Sequence, residues 1–193
     1  RQMTCVEGDN IHAIALEGTF DDAQAILKGL FNNHAFRDEI GLSGVNSINW
    51  ARVVAQAVYY FTSAAVLGGP ARPVSFTVPT GNFGDILAGW IAKNMGLPID
   101  RLVIATNPND ILARPLAPGT YEVKGVHPTA SPSMDIQVSS NFERLLFDAY
   151  GRDAEAISRL MANLQQSGRF TIDAGPLAKI RSEFDAGACD EAQ

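Results

Sequence analysis

Two apolar, β-branched runs, Val74-Ser-Phe-Thr-Val78 and Leu102-Val-Ile-Ala-Thr106, flank a stretch of helical spacing from Phe83 to Met95. No other feature restricts the fold as much. Short apolar runs rich in β-branched residues read as strands buried on both faces. The helical stretch between them stops at Gly96 and Pro98, both of which end helices. Strand, turn, helix and strand at this length form a βαβ unit, with parallel strands and a right-handed crossover. A parallel pair needs helices over its faces. The expected class is therefore α/β, a mostly parallel open sheet flanked by helices in three αβα layers.

The flanking segments fit that class. Ile11-His-Ala-Ile-Ala-Leu16 is a short apolar run with alternating features and reads as a strand. Thr19 with Asp21 and Asp22 marks a helix start, because a hydroxyl and early carboxylates satisfy free N–H groups and the helix dipole. From Ile48 to Leu67 the residues Trp50, Val53, Val54, Ala57, Val58, Phe61, Ala64 and Ala65 form one helical stripe, closed by Gly68-Gly69-Pro70. Residues 115 to 132 hold Pro115, Pro118, Pro128 and Pro132 and read as an extended excursion. Ser140-Asn-Phe-Glu143 has the spacing of a capping box and opens a helix to Tyr150. Ile157, Leu160, Met161 and Leu164 form another helical stripe, and a last helix covers Leu177 to Phe184.

Composition excludes several functions. With 46% apolar residues in 193, the chain has enough material for a core. A net charge of −6 with no basic cluster argues against nucleic-acid binding. No apolar run is long enough to span a membrane, and no signal peptide is visible. Cys5 and Cys189 lie at opposite ends without CxxC or histidine partners, which suggests neither zinc nor a disulfide and is consistent with reduced, cytoplasmic thiols. The chain opens on Arg1 and closes in a polar stretch, Asp185 to Gln193. A piece of a larger protein is expected.

The turn Thr80-Gly-Asn-Phe-Gly-Asp85 follows the first strand of the unit. Ligands of open parallel sheets sit at the carboxyl ends of the strands. A helix start there offers N–H groups with no intrahelical acceptor, and the dipole favours an anion. A phosphate is the natural occupant. Gly81 lets the backbone approach an oxyanion, Gly84 suits the turn, and Asn82 tolerates left-handed conformations and carries an amide able to donate. The glycines at 81, 84 and 89 match neither a Walker A loop nor GxGxxG. On physical grounds alone, a turn and a phosphate site both stay open.

VPTGNFGDILAGW (78–90) closely resembles the phosphate-binding loop of the threonine synthase family, pyridoxal-phosphate (PLP) enzymes of the tryptophan synthase β-subunit class, fold type II. LEGTFDDAQ (16–24), NSINWAR (46–52), AKNMGLPIDRLVIATNPND (92–110) and SPSMDIQVSSNFERLLF (131–147) resemble the same family, in the family's order. The resemblance spans essentially the whole chain, 1–193. It implies the central portion of a lyase that makes L-threonine and phosphate from O-phospho-L-homoserine and water. The family's cofactor serves as an electron sink while phosphate leaves the γ carbon and water adds at the β carbon. Carried over by position, the contacts to the cofactor phosphate fall on Gly81, Asn82, Phe83 and Asp85. Asp85 also suits a helix start as a partner of the dipole. Asn46, Ser47 and Asn49 form a polar patch that the resemblance puts near the substrate, and that equally suits helix capping.

The family's Schiff-base lysine sits in a Phe-Lys-Asp context, which none of Lys28, Lys93, Lys124 and Lys179 has. The lysine is expected upstream of residue 1, and the hydroxyl that meets the pyridine nitrogen beyond residue 193, so the chain would need the remainder of the same enzyme to turn over. His12, His34 and His127 suggest no second chemistry, and neither a catalytic residue nor a metal site is expected within the chain. Two alternatives remain: another PLP-dependent dehydratase or β-replacing enzyme, and a non-catalytic phosphate- or nucleotide-binding module.

Overall fold

The computed structural model describes residues 5–46 and 48–190. The chain divides into two compact units, residues 1–41 and 42–193.

The first unit holds α1 (Phe20–Asn32) and α2 (His34–Ile40). The sequence signal at Thr19 is realised in full. The Thr19 hydroxyl accepts from the Asp22 N–H at 3.3 Å, and the Asp22 carboxylate accepts from the Thr19 N–H at 2.7 Å. Such a reciprocal cap is worth about 1 kcal/mol. Asn33 caps α2 through its side chain, which accepts from the Phe36 N–H at 3.2 Å. Residues 11–16 are not a strand. No strand among the described residues pairs with them, and Ile14 is 82% exposed. Alternation alone does not make a strand where neither hydrogen-bonding partner nor burial is supplied.

The second unit is built on the βαβ element. Strand β1 (Val74–Pro79) runs parallel to β2 (Ile99–Thr106), with Val78 opposite Ile104, and α4 (Gly84–Asn94) makes the crossover. Before them, α3 (Trp50–Val66) packs against α4. Helix α3 buries Val53, Ala57, Tyr60 and Ala64, a narrower face than the sequence stripe, while Trp50, Val54, Val58 and Phe61 are exposed. Tyr60 lies on that face without belonging to the aliphatic stripe. Its ring fits because Gly89 of α4 has no side chain; a Cβ there would stand 2.5 Å from the ring.

After β2 the chain makes a 3-10 turn (Arg114–Leu116), a short strand β3 (Thr120–Glu122) and a second 3-10 turn (Pro132–Met134). Helices α5 (Phe142–Ala149) and α6 (Ala154–Ser167) follow, then β4 (Arg169–Thr171), which pairs antiparallel with β3. Helix α7 (Ala174–Glu183) leads directly into β5 (Phe184–Ala188). Strand β5 lies parallel to β2, so the main sheet has the order β1-β2-β5. The sequence reading ended the last helix at Phe184 and left Asp185 onward as a polar stretch. In the structure Phe184 to Ala188 complete the sheet. The core joins Leu102 and Ile104 of β2 to Ile86 and Leu87 of α4, Leu145 and Leu146 of α5, Ile180 of α7 and Phe184. Each such side chain contributes about 1.5–3 kcal/mol on burial. The class is α/β, a mostly parallel sheet flanked by helices, as expected.

Candidate functional site

All three strands of the main sheet end on one edge, at Pro79, Thr106 and Ala188. Two loops leave that edge side by side. One is Thr80 to Phe83, before α4; the other is Asn107 to Asp110, after β2. The ladder runs one step into the first loop, as the Thr80 N–H donates to the Ala105 carbonyl at 2.8 Å. The buried Thr80 hydroxyl donates back to the Val78 carbonyl at 2.6 Å, which fixes the exit from β1.

The loop enters α4 through a left-handed residue, and that residue is Phe83 (φ 63°) rather than a glycine or Asn82. This conformation is costly for a bulky side chain. Burial offsets the cost. The Phe83 ring is fully buried and packs against Phe142 at 5.5 Å and Phe184 at 5.6 Å between centroids. The first intrahelical bond is Leu87 N–H to the Phe83 carbonyl, at 3.1 Å. The N–H groups of Phe83, Gly84, Asp85 and Ile86 therefore have no acceptor within the helix, and no side chain caps it. The dipole of this 11-residue helix adds partial positive charge there.

Gly81 has a different neighbour from the one its position suggests. A Cβ on Gly81 would stand 3.0 Å from the Ser133 carbonyl oxygen and 3.1 Å from the Met134 Cα. The missing side chain makes room for another stretch of the chain. Asn82 is held from the other side. Its side-chain oxygen accepts from the Ser140 N–H at 2.6 Å, and its carbonyl accepts from the Asn141 amide at 3.0 Å. These bonds replace the expected capping box. Asn141, not Ser140, precedes α5, and its side chain makes no cap bond. The hydroxyls of Ser139 and Ser140 are buried and have no hydrogen-bond partner among the described residues.

Asp85 shares a groove with Tyr60 of α3 and Phe76 to Pro79 of β1. The Tyr60 hydroxyl donates to the Asp85 main-chain carbonyl at 2.9 Å. Burial pushes the Asp85 carboxyl up, against a side-chain hydrogen bond from Tyr60. The Tyr60 phenol is also pushed up, by burial and then by the Asp85 charge.

The polar patch before α3 is a capping structure. The Asn46 side chain accepts from the Ile48 N–H, and the Asn49 side chain accepts from the Ala51 N–H, each at 3.0 Å. Ser47 lies outside the described residues. Arg144 of α5 ties the patch to the loop. Its guanidinium donates to the Ile48 carbonyl at 2.8 Å and to the Asn141 side-chain oxygen at 2.6 Å, and Asn141 in turn holds Asn82. Desolvation lowers the Arg144 pKa, with Glu143 acting in the other direction. Sequence reasoning gave Ser140 only a helix cap and singled out no role for Asn141 or Arg144. The signal was present in SSNFER, which the helix-start rule absorbed.

A second polar cluster stands at the exit of β2. The Asp135 carboxylate accepts from the Asn107 amide (2.8 Å), the Asn109 amide (2.9 Å), and the Thr129 hydroxyl (2.7 Å) and N–H (2.8 Å). Burial pushes its carboxyl up, but the hydrogen bonds from Thr129, Asn107 and Asn109 prevail and hold it below the usual carboxylate range. Asn109 also exchanges a pair of bonds with the His127 main chain, each at 2.8 Å.

Lys93 is at the far end of α4, roughly 14 Å along the axis from Gly84, and pairs with Glu183 at 2.6 Å. Lys179 donates to the Ala149 carbonyl at 3.2 Å, while Lys28 and Lys124 are exposed. No group of residues suited to hold a metal ion occurs among the described residues, and no helix among them is long and apolar enough to cross a membrane.

Comparison with known proteins finds threonine synthases. Threonine synthase of Pseudomonas aeruginosa is 51% identical over 193 residues, all of this chain and 41% of the relative. A crystal structure of PLP-bound threonine synthase from Brucella melitensis superimposes with a TM-score of 0.87 at 63% identity, over 98% of this chain and 41% of that one. Along its whole length this chain is similar to threonine synthases. The yeast threonine synthase structure agrees, with a TM-score of 0.82 at 41% identity, over 99% of this chain and 40% of that one. No protein-family model matches the chain. It spans about two-fifths of the length of the threonine synthases it matches.

Proposed function

We propose that this chain is the central, phosphate-loop portion of a PLP-dependent threonine synthase that converts O-phospho-L-homoserine and water to L-threonine and phosphate. One observation carries the reading: an uncapped helix N-terminus at the carboxyl edge of a parallel sheet, in a chain so close to PLP-bound threonine synthase. The residues present fit a phosphate. The first-turn N–H groups of α4 lack helical acceptors, and two buried hydroxyls beside the Asn82 clamp have no hydrogen-bond partner among the described residues. Gly81, Asn82, Phe83 and Asp85 would hold the cofactor phosphate, chiefly through main-chain N–H groups. The Phe83 ring then serves the core, and the Asp85 carboxylate faces Tyr60 while its N–H serves the anion. When bound, PLP supplies the electron sink for loss of phosphate and addition of water. The loop's part is to fix the cofactor by its phosphate and so orient it. Asn46, Ser47 and Asn49 would lie toward the substrate, and Arg144 holds the Ile48 carbonyl between them against Asn141. The lysine that carries the cofactor would come from the remainder of the same enzyme, since none of the four present has the Phe-Lys-Asp context.

The test is expression of the coding region together with its flanks. The purified protein is expected to carry PLP absorbance and to release phosphate and threonine in equal amounts from O-phospho-L-homoserine. A PLP protein that leaves this compound untouched and instead releases ammonia from serine or threonine would establish the dehydratase alternative.

A further inference from the structure

We propose that Asp135 is the positioning residue of the phosphate loop, its carboxylate holding segment 131–136 against Gly81. The inference rests on the reading that the loop binds a phosphate. Segment 131–141 grips the loop at two points. Ser133 and Met134 lie against Gly81, where a Cβ would stand 3.0–3.1 Å from their backbone and push on it. Ser140 and Asn141 hold Asn82 by hydrogen bonds. The second grip is continuous with α5 and the core, through buried Phe142. The first is more weakly supported: Pro132–Met134 is a single 3-10 turn with no buried residue, and the apolar side chain that enters the interior is Ile136, two residues on. Its hydrogen-bonded anchor is the residue between the turn and Ile136. Asp135 is 8% exposed and accepts four hydrogen bonds. Two come from Asn107 and Asn109, which leave the same sheet edge as the loop. Among the described residues it has no cationic partner; its donors are neutral, fixed amides and a hydroxyl.

This arrangement measures a position. The edge of β2 sets Asn107 and Asn109, these set Asp135, and Asp135 sets the Ser133–Met134 backbone that backs Gly81. A loop of free N–H groups binds an anion well only when those groups converge, and an error of a fraction of an ångström disperses them. Asp135 touches no part of the proposed anion position, so its action is through the segment.

The experiment compares the wild-type chain with Asp135→Asn, Gly81→Ala and the double variant, using inorganic phosphate as probe and the amide signals of residues 81–86 as readout. Asp135→Asn places a donor among donors and is expected to weaken phosphate binding about tenfold, the equivalent of one lost hydrogen bond. Gly81→Ala pushes on the same backbone from the loop side. The double variant is expected to lose little more than the worse single one, because both act through one contact. A purely structural role would not produce that coupling. Thr129→Val keeps the β-branched shape and removes the hydroxyl donor to Asp135; it is the milder variant should Asp135→Asn not fold. Affinity unchanged in a folded Asp135→Asn or Thr129→Val, or fully additive losses, would overturn this inference alone. Absence of phosphate binding at 81–86 in the wild type would refute the loop reading and this inference with it.

Discussion

At the scale of residues, the loop's most unusual feature is the choice of Phe83 for a left-handed position. A phenylalanine is tolerated there because its ring is the junction between α4, α5 and β5. Phe83→Ala is expected to destabilise the chain by about 3–5 kcal/mol in chemical unfolding, the range for a large buried aromatic. A loss below about 1 kcal/mol would mean that the ring is not the anchor and that the backbone strain is held otherwise. Asp135 makes a pH-dependent contribution of definite sign. Its folded pKa is lowered, so its stabilisation is present above the unfolded value of about 3.9 and is lost as pH falls through the folded value. Asp135→Asn is therefore expected to be less stable than the wild type at pH 7, with the gap narrowing below about pH 4. A gap that stays constant down to pH 2.5 would contradict the assignment of the hydrogen bonds to the ionised carboxylate.

At the scale of elements, α3 and α4 cross closely because Gly89 admits Tyr60. Gly89→Ala is expected to cost about 1–3 kcal/mol by overpacking, more than its gain in helix propensity. Thermal unfolding checks this, and a variant as stable as the wild type would show that the helices separate freely. The elements also show which features were legible. The βαβ unit could be read because Val74–Val78 and Leu102–Thr106 carry their own burial in β-branched side chains. The Thr19 cap could be read because its partners lie three residues apart. Strand β5 could not: Asp185, Gly187 and Ala188 have no strand character of their own and pair because β2 has an open edge. Ile11–Leu16 fails for the opposite reason, having the pattern without a partner. Ser140 was misread because its local signal competes with a distant one. Its N–H goes to Asn82, 58 positions earlier in the chain. The loop was visible in sequence as glycines before a helix, but its clamps, Ser140–Asn141 and Asp135, depend on contacts between segments far apart in sequence.

At the scale of the whole molecule, the sheet brings three chain segments to one edge. The loop after β1, the asparagines after β2 and the segment 131–141 meet there, in a chain that matches about two-fifths of the length of threonine synthases. Lys93 pairs with Glu183 beyond the far end of α4, Lys179 donates to the Ala149 carbonyl, and Lys28 and Lys124 are exposed; none of the four has the Phe-Lys-Asp context. Borohydride reduction of the chain with PLP, followed by peptide mapping, is thus expected to give sparse labelling over Lys28, Lys93, Lys124 and Lys179. Stoichiometric capture at one of them would mean the chain carries its own cofactor-linking lysine. The central claim is that the N-terminus of α4 holds the cofactor phosphate, and titration with PLP and with inorganic phosphate, followed through main-chain amide signals, tests it most directly. The account predicts that Gly81, Phe83, Gly84, Asp85 and Ile86 shift together with both ligands and saturate at one affinity for each, in the millimolar to micromolar range that two or three charge-assisted hydrogen bonds support. Saturable shifts at another set of residues, with 81–86 unmoved, would contradict it.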